Sequence, residues 1–524
     1  MQLTVLGGAG EHGRSSYLLT EAGQHVLLDY GVKKEDGGQY PLVDDMDALI
    51  GGLQTVFLSH AHEDHCIALP ILYRHGYRGH VWTTRATVQQ LPAYFDAWKK
   101  YTDQRHIVRP YDDEDEQRIC YSYVEDIAAP GQWGQIAPGL DICWGRSGHL
   151  PGSIWLTLCW KGKYVFFSGD YTSESQMLSA DRPLHRAGSS LQPVQYSVSS
   201  VLERSAQQAG DTLRVGNMPY GRNGLQVENV GQDCDGLHDY DRLHLNKTPQ
   251  NDVALQAANV LKHDNKLSGW SVQSSAQPTI CLPVLPDLDL AIVDAAYGDD
   301  PEQQAYKLHR LQMHINDTLQ AGGSVLLPVP LYGRGQELLL WAYEQYPDVP
   351  LFVESVLLEG MQLLNSYEDW LHEGVVQRME RLLNASQLYP LFASETTDHL
   401  YTQHTSRIIF TPDGMLQSEL ARQHYERLRA NPRNRVIFTG HLAKGSLGSK
   451  LLQQPPPDGC RIEHICYKVH QGLPDVQQML DDLNCPPSVL VHATQQRTDR
   501  LAAYLHEQGY ERIYSLLPTA RLEF

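Results

Sequence analysis

Apolar positions in the first 170 residues come in short runs, each closed by glycine or by a polar cluster. TVFLSH, VWTT, WLTLCW and YVFF have strand length and strand composition. SSYLLT and HVLLDYG pair as two strands about the turn EAGQ, so the chain start reads as a β-meander with Asp29 at a strand end. WLTLCWKGKYVFFSGDY reads as a hairpin about Lys161-Gly162-Lys163 that finishes at Asp170. CIALPILYRHG reads as a short helix. Beyond residue 300 the rhythm changes. PEQQAYKLHRLQMHINDTLQAGG has a helical period stopped by glycine, SVLLPVP is a strand, and QELLLWAYEQY is a second helix, which is an α/β pattern of the βαβ kind. Between these regions, residues 186–285 are rich in Ser, Gln, Gly, Asn and Asp with weak periodicity, and a surface subdomain, a lid or an unstructured arm is expected there.

Composition narrows the class. At 524 residues the chain is long for one core, so two domains or one domain with large insertions is expected. Its 42% hydrophobic and 20% charged residues suit a soluble globular protein. No apolar run approaches the roughly 18 residues of a membrane helix. The start MQLTVLGGAG has no signal-peptide pattern, so a cytoplasmic location without membrane contact is expected. The 9 cysteines are scattered singly and suggest neither a CxxC zinc site nor a disulfide framework. A formal charge of −20 argues against broad nonspecific nucleic-acid binding, which relies on cationic side chains. It leaves room for a local positive site, because bound divalent cations are not counted in it.

Two motifs compete for the chemistry. Gly8-Ala-Gly10-Glu-His-Gly13 matches GxGxxG, with Asp29 where a ribose acid would stand, but a helix must open at those glycines and strands follow instead. The dinucleotide reading is therefore rejected. HAHEDH is the stronger motif: His60, His62, Asp64 and His65 follow a buried strand, on what reads as a tight loop without a helix. The two histidines at i and i+2 can face one point while Asp64 and His65 turn to a second. Imidazole with carboxylate suits zinc, or manganese or iron as the oxygen share rises. SGHLPGS places His149 on a loop, and DLDLAIVDAAYG, YKVHQG and SVLVHATQ present Asp294, His470 and His492 at strand ends or loops, where sites gather.

HxHxDH with an earlier strand-end Asp and later single His and Asp residues resembles the metallo-β-lactamase fold of dinuclear hydrolases. Asp294, His470 and His492, together with PVPLYGRGQELLL, TPDGMLQSEL and TGHLAKGSLGSKLL, resemble the β-CASP nucleases within it. The resemblance implies an α+β fold, an αβ/βα sandwich with an inserted α/β β-CASP domain. Residues 1–185 and 451–524 would form the sandwich, with the polar stretch 186–285, a strand region 286–300 and the inserted domain 301–450 between them. It implies two Zn²⁺, or Mn²⁺ in their place, with His60, His62 and His149 on one metal, Asp64, His65 and His492 on the other, and Asp170 bridging. Asp29 would orient the cluster. His492 at the last motif goes with RNA-processing members, so an RNA substrate and an endonuclease or 5′ exonuclease activity are implied.

Two such metals about 3.5–4 Å apart can hold a hydroxide and neutralise charge on an attacked phosphodiester. Asp64 would orient that hydroxide, and His470, held by Asp294, would protonate the leaving oxygen. The Gly445-Ser446 turn is a candidate phosphate contact or merely a helix cap. A non-catalytic nuclease-like scaffold and a hydrolase of a small ester or lactone are the competing readings. Little chain follows His492, so substrate capture is expected to rest on the cleft, a protein partner or a second copy of the chain.

Overall fold

The computed structural model describes residues 1–185, 284–392, 406–443 and 445–524; nearly all of the polar stretch expected at 186–285 lies outside them. Two seven-stranded sheets pack face to face. The first runs, in spatial order, Arg521–Glu523, Gln2–Gly7, Ser16–Glu21, Gln24–Leu28, Leu53–Phe57, His80–Thr83 and Cys120–Tyr123. The second runs Ile513–Ser515, Ser488–Val491, Leu290–Asp294, Lys163–Phe167, Ile154–Trp160, Leu140–Arg146 and Trp133–Ala137. Each sheet is antiparallel at one end and parallel at the other, so only part of it needs crossover helices.

Period-two alternation explains the layers, because most strands bury both faces. Leu3, Leu19, Leu28 and Phe57 of the first sheet meet Leu156, Leu158, Phe167, Ile292 and Val491 of the second in one core. The intervening positions Leu27 and Val56 face helices, packing with Leu72 and Trp98. On the far side Cys143 and Val293 pack with Leu480 and Leu501. The result is a helix–sheet–sheet–helix sandwich, as expected. The hairpin about Lys161-Gly162 is also as expected: both residues have positive φ, +52° and +78°, the conformation of a type I′ turn.

A third sheet is entirely parallel, ordered Leu388–Leu391, Leu351–Glu354, Ile408–Pro412, Val325–Val329, Arg435–Phe438 and Arg461–His464. Its four inner strands are buried on both faces under helices that include Gln304–Gln320 and Arg334–Gln345, which is how parallel sheets survive in water. This is the inserted α/β unit. Its last strand, Arg461–His464, lies past the boundary expected at residue 450, because that strand pairs with Arg435–Phe438 and not with the sandwich. No described helix is long and apolar enough to cross a membrane.

A candidate metal centre at the strand ends

The site forms where strands of both sandwich sheets end. Asp29 follows the strand Gln24–Leu28, and His60 and His62 follow Leu53–Phe57. Asp64 and His65 lie on a single helical turn, Glu63–Cys66, which corrects the helix-free loop expected there. Glu63 and Asp64 in its first turn favour that helix electrostatically, and His62 precedes it. From the second sheet come His149 before Ile154–Trp160, Asp170 after Lys163–Phe167, Asp294 closing Leu290–Asp294 and His492 after Ser488–Val491. His470 arrives on the loop that returns from the inserted unit.

All ten of these side chains are buried, none more than 7% exposed. His60, His62, His149 and Asp170 present ligand atoms that all lie within 4.8 Å of one another, as do Asp64, His65 and His492. Asp170 joins the two sets. Its carboxylate lies 3.4 Å from His60 Nε2, 3.4 Å from His65 Nε2, 3.5 Å from His149 Nε2 and 3.8 Å from His492 Nε2. His492 Nε2 is also 3.1 Å from Asp64 Oδ2. A third grouping of the same kind joins Asp170 to Asp294, His470 and His492.

Hydrogen bonds on the opposite ring nitrogens decide which nitrogen faces inward. His65 Nδ1 bonds Asp29 Oδ2 at 2.7 Å, and His149 Nδ1–H donates to the Val469 carbonyl at 2.8 Å. Ser59 Oγ donates to Asp29 Oδ2 at 2.7 Å and so is left to accept from His60 Nδ1–H at 2.9 Å. All three arrangements turn Nε2 inward, and at His60 and His149 it is the lone pair of a neutral ring. His60 Nε2, His65 Nε2 and Asp170 Oδ2 are buried and make no hydrogen bond. Buried polar atoms without partners are costly. Three of them converging in a histidine and carboxylate shell fit a metal ion of the zinc type.

Electrostatics carries the same signature. Burial pushes His60 and His149 down, His149 well below its ordinary value. Burial also pushes on His65 and His492. Asp64, Asp170 and Asp29 overcome it at His65, which ends well above the usual imidazole range. Asp170, Asp64 and Asp294 overcome it at His492, which is raised to about 9. Burial works to raise Asp170, and the imidazoles of His492, His65, His60 and His470 hold it well below the carboxylate range. The pocket is built for a positive charge, which protons supply when no metal does.

Beside the metal shell, His470 Nδ1 lies 3.1 Å from Asp294 Oδ2. Asp294 is itself fixed by the backbone N–H groups of Tyr171 (3.1 Å) and Ala296 (3.0 Å), and Gln471 Nε2 donates to its carbonyl. Lys468, two residues before His470, is fully buried between Glu174 at 2.5 Å and Asp475 at 2.6 Å. Sequence reasoning missed Ser59, Lys468 and Gln471. Ser59 stands next to the HAHEDH motif, but a serine there has no spacing rule to single it out. Of the turn residues, Ser446 accepts from Ser449 N–H at 3.1 Å as the N-cap of the helix Leu447–Gln453, and Gly445 has φ +83° beside it.

Comparison with known proteins extends the picture. Residues 337–451 match the Beta-Casp domain, and residues 459–516 match the Zn-dependent metallo-hydrolase RNA specificity domain. The chain is 23% identical to ribonuclease TTHA0252 of Thermus thermophilus, over 98% of this chain and 97% of that one. It is 22% identical to transcription termination factor FttA of Cenarchaeum symbiosum, over 88% of this chain and 58% of the relative. It is 23% identical to endoribonuclease YSH1 of Eremothecium gossypii, over 95% and 56%. The chain thus spans nearly all of the first relative and little more than half of the other two.

Proposed function

From its place in the β-CASP family of the metallo-β-lactamase fold, we propose that this chain is a zinc-dependent ribonuclease that hydrolyses RNA phosphodiester bonds. The observation that carries the reading is the convergence on Asp170 of two buried ligand sets, with the His470–Asp294 pair at their edge. His60, His62 and His149 would hold one zinc, Asp64, His65 and His492 the other, and Asp170 both; manganese suits the same donors less closely. When bound, the ions lower the pKa of water and offset charge on a phosphodiester.

The chain's own residues do the rest. Asp29 and the Val469 carbonyl fix the ring orientations of His65 and His149, so the ligand nitrogens are aimed before metal arrives. Asp64, beside both His65 and His492, is placed to orient the attacking water. The attacking water releases one proton to solvent; as the resulting hydroxide bonds to phosphorus, the P–O bond to the leaving nucleotide breaks, and that oxygen needs a proton. His470 supplies it from Nε2, because Nδ1 is engaged by Asp294.

The test is cleavage of an RNA labelled at either end, beside DNA of the same sequence, by metal-loaded protein and by His60→Ala and His470→Ala. The reading expects RNA cleavage lost in both variants, with metal lost only in His60→Ala. His470→Ala should lower kcat by about 10²–10⁴. Loss of a metal in His470→Ala would instead make His470 a ligand, through the third grouping with Asp170, Asp294 and His492.

A further inference from the structure

A cavity of about 210 Å³ lies between the sandwich and the inserted unit, lined largely by apolar atoms. Four tyrosines line it: Tyr94 and Tyr101 from the sandwich helix Arg85–Gln104, and Tyr332 and Tyr367 from the inserted unit. It adjoins the metal centre. The Tyr94 ring lies 5.8 Å from the His62 ring, and Glu63 and Leu150, the residues after His62 and His149, form part of the wall. At the cavity wall Tyr332 is 44% exposed and Leu363 is 49% exposed.

Gln336 lies behind the cavity wall. Its side chain is fully buried. The amide NH₂ donates to the Leu331 carbonyl at 2.6 Å and lies 3.4 Å from the Leu357 carbonyl, which fixes the orientation of the group. Oε1 is then the end left over, buried and without a hydrogen bond. That acceptor is out of a ligand's reach, so what the slot offers is aromatic rings and apolar atoms, which suit a flat, π-faced ligand.

We propose that this cavity seats a nucleobase of the RNA next to the scissile phosphate, flanked by tyrosine rings. The proposal rests on the ribonuclease reading. With the phosphate at the histidines, the neighbouring base is the group within one sugar's reach of Tyr94. Stacking on aromatic rings is how single-stranded nucleic acid is held without dense positive charge, and this chain carries a formal charge of −20. Every base has a π face, so the seat would grip a base more than it would choose one.

The experiment walks an abasic residue through a short RNA that the metal-loaded chain cleaves at one bond. At one position beside that bond the abasic residue should raise KM about tenfold with kcat within about twofold. Tyr332→Ala, whose side chain is exposed enough to spare the fold, should raise KM for the intact RNA and remove the abasic penalty. A KM that stays within twofold at every position overturns the base seat and leaves the ribonuclease standing. If the RNA is not cleaved at all, the ribonuclease reading falls and takes the seat with it.

Discussion

Asp29 shows what one residue outside the ligand shell contributes. Its carboxylate accepts from Ser59 N–H and Ser59 Oγ, and it holds His65 Nδ1, all at 2.7 Å, from a backbone at φ +55° that a non-glycine residue adopts at a cost. Asp29→Ala should therefore lower zinc affinity about 10–100-fold while the fold persists. Competition with a chromophoric chelator measures this, and unchanged affinity would mean that Asp29 only braces the loop. Protons and metal compete for the same nitrogens. His492, raised to about 9, and His65, also raised, are charged at neutral pH in the metal-free protein and must each lose a proton to ligate. Zinc affinity should accordingly rise with pH through neutrality until His492 titrates near 9. Binding heats at pH 7 should vary with the ionisation heat of the buffer, and heats independent of buffer would show that no proton is displaced.

At the scale of elements, the site depends on how closely segments approach. A Cβ on Gly31 would lie 1.7 Å from the Asp64 carbonyl oxygen, and the neighbouring backbone bonds Ser15 N–H to that oxygen and Tyr30 N–H to the His65 carbonyl. Gly31→Ala must push the turn Glu63–Cys66 away, so it should cost about 1–3 kcal/mol and reduce zinc content, read by denaturation and metal analysis. Lys468 anchors the His470 loop through buried pairs with Glu174 and Asp475. Lys468→Met leaves both carboxylates without their cation, and a loss of about 3–5 kcal/mol in urea unfolding is expected. Much of this was legible beforehand. Strand ends, the hairpin at Lys161-Gly162 and the absence of a helix at Gly8–Gly13 follow from period and turn chemistry, which are local. The helical turn at Asp64 was missed because four residues carry no period. Ser59, Lys468 and Gln336 were missed because their partners, Asp29, Glu174 and Leu331 among them, are assigned by tertiary packing that no spacing records.

Across the whole molecule, a sandwich and a parallel inserted unit meet beside the buried ligand cluster. The chain carries a formal charge of −20, and its buried centre gathers imidazoles and carboxylates from both sheets. Metal binding should thus hold the two sheets together at the end where Asp29, Asp170, Asp294 and His492 leave their strands. An excess of zinc at about 100 times its dissociation constant would add about 2.7 kcal/mol to stability. The last of the inserted strands, Arg461–His464, leads directly into Lys468 and His470, so the inserted unit brings the proposed acid to the edge of the ligand cluster. The central claim is that two metals act together beside that histidine. The most direct measurement titrates zinc into metal-free protein and follows RNA cleavage against bound zinc per chain. Activity that stays low through the first equivalent and rises to its plateau with the second is the predicted result. Full activity at one equivalent or without metal would contradict the account.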